Sequence, residues 1–242
     1  MGAIKKTVDD YISELVDWDD TTREEAAKAL GEIGDEIVID PLLQALKEDE
    51  SEDVRASAAL ALGKFDNYEG IPQKLGEIIS QETSPIVRIA IANAIGEIGN
   101  KSAAKLLIPV LENEESFWVR EAIIEALGKA YSKDFTELLL KYLKDDDSEE
   151  VRVQAANALI KNPHDEILDN ILQAFKQEES DEVKSHIAEL IAEIPNIKSV
   201  EILTEALENE EYKQTQAAAA EALYKIALKL GYNDENEMMD SL

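Results

Sequence analysis

The chain contains five arginines, and they fall on one ruler: Arg23, Arg55, Arg88, Arg120 and Arg152. The intervals are 55 − 23 = 32, 88 − 55 = 33, 120 − 88 = 32 and 152 − 120 = 32 residues. Continuing by 32 reaches Lys184 and Gln216, where other residues hold the place. Self-similarity at a period of 20–50 residues marks stacked repeats, and it constrains the fold more than any other feature of the sequence.

The surroundings repeat with the arginines. Four residues earlier stand Asp19, Ser51, Ser84, Ser116, Ser148 and Ser180, residue types that cap helix N-termini. Acidic residues often follow, as in Ser51-Glu52-Asp53 and Ser148-Glu149-Glu150, where negative charge suits the helix dipole. Apolar pairs recur at ladder plus three and four, from Ala26–Ala27 to Ala219–Ala220. At plus seven come Leu30, Leu62, Ile95, Leu127, Leu159, Ile191 and Leu223. This spacing describes one buried helix face. At plus eight stand Gly31, Gly63, Gly96 and Gly128, replaced later by Ile160, Ala192 and Tyr224. A glycine repeated inside a helix costs about 1 kcal/mol each time, which points to a close helix contact with no room for a side chain.

Turn residues then follow, as in Gly34-Asp35, Gly99-Asn100 and Pro195-Asn196. A second apolar-periodic stretch comes after each turn, over 39–46, 103–111, 135–143, 167–175 and 200–207. Each unit of about 32 residues reads as helix, turn, helix, turn. One pair cannot bury its apolar faces, but a stack can. The expectation is an all-α, right-handed α-solenoid of about seven stacked helix pairs. A helix near 4–16 caps one end and a helix near 212–230 caps the other. The solenoid is expected to form a single domain over 1–231, with 232–242 as an acidic tail, loosely held unless Met238, Met239 or Leu242 docks.

Segments such as Val54-Arg55-Ala56-Ser57-Ala58-Ala59-Leu60-Ala61-Leu62-Gly63, together with 20–34 and 119–128, resemble the HEAT-like repeats first named after phycobilisome lyases. The resemblance covers nearly the whole chain. It implies an armadillo-type fold with the arginine-bearing helices on a concave face and the proline-bearing helices, such as that of Pro41, outside. It implies a binding scaffold or adaptor. The alternative it implies is a subunit or chaperone of a phycobilin-lyase-like system acting on a tetrapyrrole-bearing protein.

Charge narrows the partners. With 24 Lys and Arg against 53 Asp and Glu, the formal charge is −29, which repels phosphate backbones and favours a basic partner. Nucleic acid is therefore not expected. No segment approaches the length of a membrane span, so a cytoplasmic monomer is the plain expectation. There is no Cys, which removes disulfides, thiolate metal sites and Cys nucleophiles. The two histidines, His164 and His186, lack metal-ligand spacing, and no nucleophile-elbow, P-loop or dinucleotide motif is present. No catalytic residue, metal or cofactor is expected.

Three groups of residues carry the remaining expectations. The arginines can be a basic track, or a structural ladder in which each guanidinium bonds acidic turn residues or carbonyls of neighbouring units; their constant repeat position favours the ladder. The acidic turns near 48–50, 112–115, 145–147 and 208–211 can be solvated ends or an edge that steers a basic partner. The third group is apolar where it should be polar. Ladder positions minus two, plus one, plus two, plus five and plus nine point away from the core, and in the first and sixth units they are mostly polar. In the middle units they offer Leu60, Ile86, Ile89, Trp118 and Val153, with Phe117 alongside and Asn93, Glu125, Gln154 and Asn157 flanking. An apolar patch with a polar rim marks a protein-binding surface, and Trp is a favoured anchor. The competing expectation is that Phe117 and Trp118 pack between helices.

Overall fold

The computed structural model describes residues 6–66, 68, 70–99, 101–208 and 211–242. Ile4, Asn100 and the middle of the turn at 208–211 lie outside the described residues. Among the described residues every regular element is helical. No helix among them is long and apolar enough to cross a membrane. The chain divides into two compact units, 1–130 and 131–242.

In the first unit the arginine-bearing helices are α2 (Asp20–Ile33), α4 (Glu52–Leu62), α6 (Pro85–Ile98) and α9 (Phe117–Lys129). Each packs on the next, forming one layer. The amino-terminal α1 (Val8–Glu14) packs on α2, and α3 (Ile39–Glu48) and α5 (Ile71–Ile79) form the second layer. Burial follows the repeat: Ala26, Ala27 and Leu30, then Ala58, Ala59 and Leu62, then Ile91, Ala92 and Ile95 are all fully buried. An α-helix brings the plus-three, plus-four and plus-seven positions onto one stripe, so the same face meets the core in every unit.

The plus-eight glycines stand where the ladder helices touch. A Cβ on Gly31 would lie 2.7 Å from Ala61 Cβ and 2.9 Å from its Cα. A Cβ on Gly63 would lie 2.7 Å from Ala94 Cα, and one on Gly96 3.1 Å from Ala126 Cα. Glycine on one helix faces alanine at plus six of the next, so two backbones approach with almost nothing between them.

The third second-layer helix departs from the expected 103–111. It is broken into α7 (Lys101–Lys105) and α8 (Ile108–Leu111), joined by tight turns in which the Leu106 and Leu107 N–H groups bond Ala103 and Ala104 carbonyls. Proline is the cause. Pro41 and Pro72 fall in the first turns of α3 and α5, where no N–H partner is needed. Pro109 falls one to two turns further along, where an unbroken helix would lose a hydrogen bond and meet the ring at the carbonyl four residues back; the break places it instead in the first turn of α8.

The second unit holds α10 (Thr136–Asp145), α11 (Glu149–Ile160), α12 (Leu168–Gln177), α13 (Asp181–Glu193), α14 (Lys198–Glu208), α15 (Lys213–Leu230) and α16 (Glu235–Asp240). Within this unit α11, α13 and α15 form a ladder layer, each packed on the next, and α10, α12 and α14 a second layer. Helix α15 ends at Gly231, whose φ of 93° closes the helix in the left-handed region. The residues after it are helical as well: α16 packs on α15 with Met238 fully buried, while Leu242 is exposed.

Helix capping is more varied than the Ser/Asp pattern implies. Asp19, Ser148 and Ser180 accept from the N–H groups of Thr22, Val151 and Val183. Ser51, Ser84 and Ser116 make no side-chain cap, and Ser84 Oγ donates instead to Glu52. At α15 the capping position is Tyr212, and the cap comes from the neighbouring unit of the repeat. The carboxylate of Asp181, in the first turn of α13, accepts from Gln214 N at 2.9 Å and Thr215 N at 2.8 Å.

Candidate functional site

The arginines are built into the turns. Arg55 shows the arrangement most fully. Its Nη1 donates to the carbonyls of Asp49 at 2.9 Å and Glu50 at 3.2 Å, six and five residues earlier. Its Nε and Nη2 donate to the two carboxylate oxygens of Glu82, one repeat ahead, at 2.9 and 3.2 Å. Arg23 pairs likewise with Asp49 at 2.7 Å, Arg88 with Glu114 at 2.9 Å and Arg152 with Glu178 at 2.8 Å. Arg120 donates to the carbonyls of Glu114 and Glu115. Each paired carboxylate also accepts from the backbone N–H of the serine two residues on, at Ser51, Ser84, Ser116 and Ser180.

The pairs of Arg23, Arg55 and Arg152 are two-pronged, whereas Arg88 hydrogen-bonds Glu114 through Nη2 alone, at 3.0 Å, and each links one helix–turn unit to the next. Burial alone would push the carboxyls of Asp49, Glu82 and Glu178 up. The bonded guanidinium and the serine N–H outweigh it and hold all three below the usual carboxylate range. The paired acid is always six residues before a ladder position. Its neighbour can be fully solvated: Glu50, next to Asp49, has a side chain 92% exposed. With the guanidinium groups occupied in this way, the arginines present no basic track.

A second, exposed set of pairs runs along plus nine. Lys64 bonds Glu32, and Lys129 Nζ lies 2.7 Å from Glu97 and 3.1 Å from Glu125. The Glu97 bond, with that of Glu125, raises the Lys129 ammonium above the ordinary lysine value despite partial burial.

The apolar patch stands between these two rows in the first unit. Ile86 on α6 and Trp118 on α9 occupy the same ladder position, minus two, on helices that pack directly. They are 49% and 58% exposed, and Leu60 on α4 is 47% exposed. Ile89, one turn beyond Ile86, is half-buried, as are Asn93 and Glu125. Phe117 is half-buried and its ring leans on Trp118, with centroids 4.3 Å apart and planes tilted by 32°. The indole therefore has a neighbour on one side and solvent on the other. The structure brings Leu60, Ile86, Ile89, Asn93, Phe117, Trp118 and Glu125 onto three consecutive helices. Val153 and Asn157 belong to the second unit, on α11, where both are half-buried.

The first turns of α6 and α9 differ from those of their neighbours. Helices α2, α4, α11 and α13 open with acidic residues, whereas α6 opens with Pro85-Ile86 and α9 with Phe117-Trp118. An acidic first turn stabilises a helix by about 0.3–1 kcal/mol, so helix stability does not explain the apolar pair.

One exposed apolar pair escaped the ladder reading, Val16 and Trp18 in the turn before α2. The signal was present: position minus five is Trp18 in the first unit but Glu50, Thr83, Glu115, Asp147 and Glu179 afterwards. The histidines are half-buried. His164 Nδ1 lies 3.0 Å from the Asn162 carbonyl, and His186 lies 3.7 Å from Glu189. Among the described residues no group of three or more His, Cys, Asp or Glu is placed to hold a metal ion.

Seven arginine-position helices, each packed on its successor within its unit and backed by a second layer, define an α-solenoid repeat protein. The family model for HEAT repeats matches residues 8–73, 71–160 and 136–224, and the chain belongs to that family. No curated protein matches the sequence. Solved structures share the fold. The complex of CpcE and CpcF of phycocyanin lyase from Nostoc aligns at 20% identity and TM-score 0.57, over 99% of this chain and 95% of that one. YibA of E. coli aligns at 18% identity and TM-score 0.62, over 96% and 90%. Importin beta aligns at 21% identity and TM-score 0.70, over 93% of this chain and 36% of its own length.

Proposed function

We propose that this protein is a non-enzymatic scaffold that grips a protein partner on the exposed face of its ladder helices. The observation that carries the reading is the exposed pair Ile86 and Trp118. They occupy equivalent positions on adjacent helices, where the ladder helices with acidic first turns carry Thr21, Asp53, Glu150 and Glu182. Leu60, Ile89 and Phe117 extend the apolar area, and Asn93 and Glu125 edge it. Val153 and Asn157, in the second unit, fall at the same ladder positions as Ile89 and Asn93. An indole flanked by aliphatic side chains supplies a large contact area at low conformational cost, the usual chemistry of an interface anchor. The mechanism is complementarity of shape and patch, with no bond made or broken. The excess of carboxylates favours a partner with a basic surface.

The test is an affinity purification from native extract at moderate salt, comparing wild type with a Trp118→Ala, Ile89→Ala variant of verified fold. A protein retained by wild type and lost by the variant supports the reading. Equal retention by both, or a collapse of melting temperature with unchanged binding, assigns the patch to packing.

A further inference from the structure

Among the described residues, Val16 and Trp18 are the most exposed large apolar side chains, at 83% and 89%. They do not belong to the patch above, because they sit in the turn joining α1 to α2. Single exposed apolar residues are ordinary, but a Val and a Trp two residues apart in one turn, displayed at this level where the repeat otherwise places polar residues, are not.

The turn that displays them is fixed. The Arg23 guanidinium, buried beneath it, donates to the carbonyls of Asp17 at 3.0 Å and Trp18 at 3.4 Å. Asp17 accepts from the Asp19 N–H, and Asp19 caps α2. A backbone already ordered has little left to lose on binding. The same guanidinium lies 3.9 Å from the exposed carboxylate of Glu50, so Trp18 and Glu50 share one edge. Asp20 is exposed at the start of α2.

We infer that this turn is a second docking site, for a Lys/Arg-rich amphipathic segment of a partner protein. Its apolar residues cover Val16 and the indole face of Trp18, and its cations pair with Glu50 and Asp20. A cation can also rest on the indole itself.

The chain has two tryptophans, so each surface can be read alone. In Trp118→Phe, emission reports Trp18. The probes are a Trp-free amphipathic Leu/Lys helical peptide, its Leu/Glu counterpart, and oligolysine of equal length. The expected result is a blue shift and reduced acrylamide quenching with the Leu/Lys peptide only. Its affinity should fall at least about threefold in a Glu50→Gln, Asp20→Asn background. No blue shift with the Leu/Lys peptide overturns the inference, as does an equal shift with the Leu/Glu peptide. A peptide-free blue shift that grows with protein concentration and is lost in a Val16→Asp background makes the occupant a second copy and overturns it too. If Trp118→Phe misfolds, the spectrum of wild type minus that of Trp18→Phe gives the same readout. The titration of Trp18→Phe follows Trp118, so the two surfaces succeed or fail separately.

Discussion

Replacing Arg55 by Met keeps most of the aliphatic stem but removes the guanidinium that ties α4 to the next repeat. Four hydrogen bonds go with it, two to carbonyls of the preceding turn and two to Glu82, whose side chain is 8% exposed. Breaking a buried ion pair from one side costs about 3–5 kcal/mol. Arg55 itself is 16% exposed and Glu82 keeps the N–H groups of Thr83 and Ser84, so the expected loss is smaller, about 2–3 kcal/mol. Urea unfolding at neutral pH measures it without screening the pair. Adding Glu82→Gln removes the stranded charge, and the double variant should recover about 1 kcal/mol or more relative to additivity.

The pH dependence has a definite sign. The Glu82 carboxyl is depressed in the folded wild type. Its stabilisation is therefore full above the unfolded carboxylate pKa and lost as pH falls through the folded one. Without Arg55 the burial that raises this pKa is less opposed. The gap between wild type and variant should be largest at neutral pH and narrow as pH falls below the ordinary carboxylate range, leaving the part due to the two carbonyl bonds. A loss below about 0.5 kcal/mol, or a gap that persists unchanged in acid, refutes the view that the ladder is a set of stabilising inter-repeat pairs.

Four further outcomes follow from particular contacts. Gly63→Ala should destabilise by about 1–3 kcal/mol, more than Gly96→Ala, because its Cβ meets the Ala94 backbone at 2.7 Å rather than 3.1 Å; thermal unfolding ranks them. Asp181→Asn should cost about 1–2 kcal/mol at neutral pH and progressively less in acid, since this carboxyl is held low by the Gln214 and Thr215 N–H groups despite its burial penalty; urea melts across pH show the convergence. Tyr131 takes a φ of 45°, so Tyr131→Gly should raise the melting temperature, by a gain of up to about 1 kcal/mol. Met238→Ala should cost about 2 kcal/mol at the end of the second unit, seen as faster hydrogen exchange in α16 and the end of α15.

Much of this molecule is written along one dimension. The arginine period and the plus-three, plus-four and plus-seven stripe determine the ladder helices and their buried faces, because each unit meets a near copy of itself in the same register. The recurrent glycine announced the close backbone approach, and the apolar minus-two residues announced an unusual surface. Tertiary structure decided what depends on a neighbour's side chain. Three acids in a row at 48–50 look alike in sequence, yet the turn points Asp49 at Arg23 and leaves Glu50 in water. Tyr212 reads as an uncapped helix start until Asp181 arrives from the preceding repeat. Pro109 reads as one more proline of the second layer until its place in the helix breaks that helix. The acidic tail has no periodicity to recommend it, yet its helix α16 packs on α15 and buries Met238. Local pattern selects which face of a helix is buried; which polar group meets which, across a turn or between repeats, is set by distances that exist only once the stack has formed.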